Sequence, residues 1–96
     1  MIKHVVCYQL HERTEEKKQE VKNMFMSMKD KIDVIKEIQV GLDFLKSARS
    51  YDVVLEITFE SVEDMNSYQQ HPYHLETVKP FMAKAKNLSV SVDYEF

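Results

Sequence analysis

The segment Tyr68-Gln69-Gln70-His71-Pro72-Tyr73-His74 gathers the side chains of this chain best suited to moving a proton. Imidazole has an unperturbed pKa of roughly 6.5, so a histidine takes or gives a proton near neutrality. A phenol hydrogen-bonded beside it orients the ring or stabilises a developing enolate. On an unbroken helix Tyr68 and His71 share a face, and His74 lies about 120° round from Tyr68. Pro72 spoils that phasing, because proline lacks an amide donor and clashes with the carbonyl four residues earlier. A kink there swings His74 inward. A structural role is the competing expectation: His71 caps the helix after the break, and His74 bonds a backbone carbonyl. His4 alternates with Val6 and Tyr8 near the N-terminus. It is either a hydrogen-bonded core histidine or the polar point of an apolar pocket.

Other candidates weigh less. His71 and His74, three residues apart with Glu76 nearby, offer no clear third ligand, and no metal or cofactor is expected. Met24 and Met28 fall on a core stripe, where adaptable packing is the expected role, and Met26 faces away. Cys7 falls on the mixed face of its strand, and Arg49 in a polar connection. An ion-paired or solvated arginine is the ordinary outcome for such a position.

These side chains must be positioned by six elements. Ile2, His4, Val6, Tyr8 and Leu10 alternate with Lys3, Val5, Cys7, Gln9 and His11, which predicts a strand over 2–11. Thr14 is a helix N-cap followed by Glu15 and Glu16. The stripe Val21, Met24, Phe25, Met28 and Ile32 carries the helix to about Lys31, with Lys17, Lys18, Glu20, Lys22 and Lys29 largely off it. Strands are expected over 35–42, 51–59 and 88–96. Gly41 inside the second marks a bulge or a close approach. Ser61 opens a second helix in a loose capping box, and its stripe runs to about Lys86, interrupted at Pro72, which opens a second piece.

The order β-α-β-β-α-β is the ferredoxin-like α+β plan, a four-stranded antiparallel sheet with both helices on one face. The apolar sides of the strands, including Leu88, Val90, Val92, Tyr94 and Phe96, are expected to meet the helices. Ser89 and Ser91 then fall on the other face with Val5, Cys7 and Val54. That face is left wet, or packs against a second copy.

Composition bounds the rest. Ninety-six residues allow a single domain, and 44% hydrophobic with 30% charged residues is an ordinary globular balance. A net charge of −3 with no basic block argues against nucleic acid. One cysteine and no apolar run of spanning length lead us to expect a soluble cytoplasmic protein without a membrane partner.

Several segments together carry a family resemblance. Lys3-His4-Val5-Val6, Ser47-Ala48-Arg49-Ser50-Tyr51-Asp52-Val53-Val54-Leu55, Phe59-Glu60-Ser61, Tyr68-Gln69-Gln70-His71-Pro72-Tyr73-His74 and Val92-Asp93-Tyr94-Glu95 occur in the order of the stress-responsive dimeric α/β-barrel domain family. The chain resembles that family over nearly its whole length. The resemblance implies a homodimer in which two sheets pair into a barrel, and a small apolar or aromatic ligand. Many members have no assigned reaction. A plant branch of olivetolic-acid-type cyclases closes a linear polyketide by aldol condensation without a cofactor. The wider superfamily is similar to cofactor-free monooxygenases and haem-degrading enzymes. By that resemblance Tyr68 and His74 are the candidate catalytic pair, with His74 as base. His4 and His71 then line the pocket, together with Val6 and Tyr8.

Overall fold

Alternation at a period of two makes β1 of Ile2–Leu10, and the computed structural model describes residues 1–96. Thr14 accepts the Lys17 amide at 3.1 Å, and this cap starts α1 (Glu15–Met26), which tightens into a 3₁₀ turn over Ser27–Asp30. β2 (Glu37–Leu42) and β3 (Val53–Phe59) follow. Ser61 accepts the Asp64 amide at 3.1 Å and opens α2 (Val62–Gln70). A π-helical turn over His74–Val78 leads into α3 (Lys79–Ala85), and β4 (Lys86–Glu95) closes the chain. The sheet order is β2-β3-β1-β4, every pair antiparallel, which is the ferredoxin-like fold.

The core lies between the helices and one face of the sheet. Val21, Phe25 and Met28 of the first helical segment meet Leu55, Ile57 and Phe59 of β3, all of them at most 1% exposed. The expected α1 stripe is therefore inward, and Met26 is outward. Gly41 keeps its register opposite Val54, so it marks a close approach and no bulge; a Cβ there would stand 2.9 Å from a Val54 methyl.

Two expectations are corrected. Lys18, expected off the stripe, is 1% exposed. Its stem shares the face of Val21 and Phe25, and its Nζ donates to the Asp43 carbonyl at 3.1 Å and meets Glu15 at 3.4 Å. The second correction concerns β4. The register sets His4 opposite Asp93, Val5 opposite Val92 and Cys7 opposite Val90. Ser89, Ser91 and Asp93 therefore share the helix side with His4, Val6 and Tyr8. Leu88, Val90, Val92 and Tyr94 lie on the helix-free face, where each is about half exposed (47–63%). A period of two says which residues share a side; only the partner strand says which side is inward.

Candidate functional site

The break after α2 is built as the proline requires. His71 is extended (φ −64°, ψ 136°), the conformation favoured before proline. Its Nδ1 accepts the Tyr73 amide at 3.0 Å and its carbonyl accepts the Leu75 amide at 3.0 Å, so His71 caps the helical piece that Pro72 opens. In the π turn that follows, the Lys79 amide reaches back to the His74 carbonyl, one residue further than in an α-helix. Beyond it, Val78, Lys79, Met82, Ala83 and Lys86 fall on one side of α3. Leu75 is turned outward.

That side of α3 walls a cavity of about 180 Å³, and the remaining lining residues are Tyr8, Phe25, Tyr68 and His74. Of the predicted site residues, the structure brings Tyr8, Tyr68 and His74 to this space. The Tyr68 and His74 ring centroids are 4.6 Å apart. His4, Val6 and His71 do not line it. Val6 is packed in the buried layer and His71 is held as a cap. His4 is one ring removed, with its centroid 6.0 Å from that of Tyr68.

Burial sets the electrostatics. It pushes the Tyr8 phenol up to about 12. It raises Tyr68 further, with the neighbouring Tyr8 adding to the effect. Both phenols are therefore neutral donors at any physiological pH. Neither hydroxyl has a hydrogen-bond partner in the chain, and neither is sealed away. His74 is half-buried, and desolvation pushes its pKa below the ordinary 6.5. The charges of Lys79, His4 and His71 push the same way, against a hydrogen bond to the Gln69 carbonyl. That bond, 3.3 Å from Nδ1, has an acceptor at its far end, so Nδ1 carries the proton and Nε2 keeps its lone pair. One small apolar hollow thus holds a neutral imidazole base and two free phenol donors. Such a set can take a proton from a carbon acid and hold the resulting oxyanion by hydrogen bonds.

Asp93 is a polar group that the sequence reading missed. Its carboxylate bonds Nδ1 of His4 directly across the β1–β4 ladder, and His4 is buried while Asp93 stays partly open. A carboxylate on Nδ1 fixes the His4 tautomer. The alternation of β4 offered the signal, but with its faces exchanged. No three His, Cys, Asp or Glu side chains converge as metal ligands. Arg49 is exposed in the β2–β3 connection, and Cys7 is half-buried on the helix-free face.

The family model of the stress responsive A/B barrel domain matches residues 2–96. The chain belongs to this family. Among relatives of the A/B barrel chain, olivetolic acid cyclase of Cannabis sativa is 29% identical over 77 residues, covering 77% of this chain and 76% of the cyclase. A dimeric protein of unknown function and ferredoxin-like fold from Bacteroides fragilis is 31% identical, with a TM-score of 0.80 over 99% of this chain and 95% of that one. A dimeric ferredoxin-like protein from Thermobifida fusca has a TM-score of 0.85 at 20% identity, over 99% of this chain and 90% of that one, and shares the fold.

Proposed function

We propose that this A/B barrel domain is a cytoplasmic homodimer that binds a small apolar or aromatic molecule in the α3 cavity. The observation that carries the reading is the pair of unpartnered phenols, Tyr8 and Tyr68, converging with His74 on one apolar space. Phenol donors that open onto a hollow without a partner in the chain are free to bond a guest there. Cavities of about 150 Å³ hold a benzene ring in other proteins, so roughly 180 Å³ suits one ring or the head of a longer chain. The helix-free sheet face supports the dimer. Leu88, Val90, Val92 and Tyr94 form an exposed apolar row beside Val5 and Cys7, and two structural relatives are described as dimers. The lone thiol suits a reducing compartment.

A cofactor-free cyclase is the second reading. It is favoured by the neutral state of His74 beside Tyr68 and by the kinship with olivetolic acid cyclase. His74 Nε2 would remove a proton from the carbon next to a carbonyl, Tyr8 and Tyr68 would hold the enolate while that carbon attacks a second carbonyl of the same substrate, and the alkoxide left as that carbonyl's π bond breaks would take the proton back from His74. Thermal-shift screening with single-ring and linear polyketide-like molecules tests both readings, since a ligand that prefers the native state stabilises it by about 2.7 kcal/mol at a hundredfold excess over Kd. Binding without turnover supports the first reading. Turnover lost in His74→Ala at an unchanged melting temperature supports the second. No stabilising ligand in the panel would defeat both.

A further inference from the structure

The geometry points to an anionic ligand: Lys79 and Lys86 make the cavity selective for an apolar acid, with the hydrocarbon part against Phe25, Val78 and Met82 and the carboxylate at the exposed end. The inference rests on the pocket reading above and adds the charge of the guest. Of the nine residues around the cavity, two are lysines, one is a histidine and none is an aspartate or glutamate. The inner wall is formed by Tyr68, Phe25, Val78 and Met82, all buried, whereas Lys79 and Lys86 are exposed. The cations therefore stand where a polar head would reach water, and the apolar groups where it would not.

Neither lysine is occupied. The ion pairs of the chain engage Arg13, Lys17, Lys18, Lys36, Lys46 and His4, and no side-chain hydrogen bond holds Lys79 or Lys86. Their spacing explains why both face the cavity. They are the first residue of α3 and the residue just past its last, seven apart, which is two helical turns on one side. Lys79 is also close enough to His74 to oppose its protonation, which places one ammonium at the polar corner of the cavity. An ammonium is a point charge that suits a carboxylate without demanding a fixed planar geometry. Exposed pairs of this kind are individually modest, so two together are worth roughly a tenfold preference.

Isothermal titration of the whole protein with benzoate, benzyl alcohol and benzylamine tests this, because the three share a ring and differ in charge. The expected order of affinity is benzoate, then benzyl alcohol, then benzylamine, with benzoate about tenfold ahead of the alcohol. That ratio should shrink in about 0.5 M salt, where screening is nearly complete over a few ångströms. It should fall roughly threefold in Lys79→Gln or Lys86→Gln and approach unity in the double variant. Both sites are exposed, so the variants should fold, and a melting curve on each confirms it. Equal affinity for benzoate and benzyl alcohol in the unmodified protein overturns the inference while leaving the pocket reading intact. So does a benzoate preference that survives in the double variant. Failure of all three probes to bind overturns the inference together with the pocket reading beneath it.

Discussion

At the scale of the residue, the site is governed by desolvation. The folded protein holds the His74 proton more weakly than the unfolded chain, whose histidine titrates near 6.5. The stability His74 contributes is therefore complete above that value and is lost as pH falls through the lower folded value. Melting temperatures taken between about pH 7 and 5 should fall more steeply for the native chain than for His74→Gln, and parallel curves would contradict this. Any His74-dependent turnover should likewise decline toward acid. The phenols act at the other end of the scale. Tyr8 keeps its proton to about 12 while an unfolded tyrosine releases it at 10.0, so stability should drain away as pH rises through that interval. Phenolate absorbance should show two of the five tyrosines ionising late. Tyr8→Phe and Tyr68→Phe should each remove one late step.

Much of this scale was legible beforehand. Imidazole and phenol chemistry marked Tyr68 and His74, and the proline marked where phasing would fail. The competing structural roles of His71 and His74 were legible as well. His71 does cap the new helical piece, and His74 does bond a carbonyl, while its other nitrogen stays free. The seven-residue spacing of Lys79 and Lys86 was there to read, but not that they share a cavity with Tyr68 and His74, because the extra residue of the π turn between them shifts the helical phase and leaves no periodic mark in sequence.

At the scale of the element, buried contacts that look unremarkable in composition decide stability. Lys18 is a charged residue with a hydrophobic duty. Lys18→Met keeps the stem and should cost less than Lys18→Ala, which empties core volume and is expected to lose about 2–4 kcal/mol in chemical denaturation. Equal losses would show that the Asp43 carbonyl bond, and not the stem, is what matters. Gly41→Val drives a side chain into Val54 across the β2–β3 ladder and should cost about 1–3 kcal/mol by the same measurement. The strands and helices themselves were readable from periods of two and 3.6, with ends displaced by one or two residues. The inward side of β4 was not readable. Burial within one chain is the default destination of an apolar row, and only the register with β1 turns this one to the helix-free face.

At the scale of the whole molecule, that reversal is what argues for a second copy. Helices cover one face of the sheet over β2, β3 and β1, and the other face carries an apolar row beside a hollow of about 350 Å³ lined by Cys7, Leu42, Phe44, Tyr51 and Val54. Sedimentation at micromolar concentration should report twice the 11.4 kDa chain. Val92→Glu should shift it to a single chain, since a charge buried at such a contact has no partner. A dimer that persists in Val92→Glu would move the interface elsewhere on the molecule.

The C-terminal strand has two attachments. Its outward apolar side chains form the proposed dimer contact, while its inward Asp93 bonds the imidazole of His4 beside Tyr68. Shortening the polypeptide by a handful of residues at that end would therefore remove the clasp on the histidine together with part of the proposed association surface. Proteolytic trimming there would disarm the protein in two respects with a single cut.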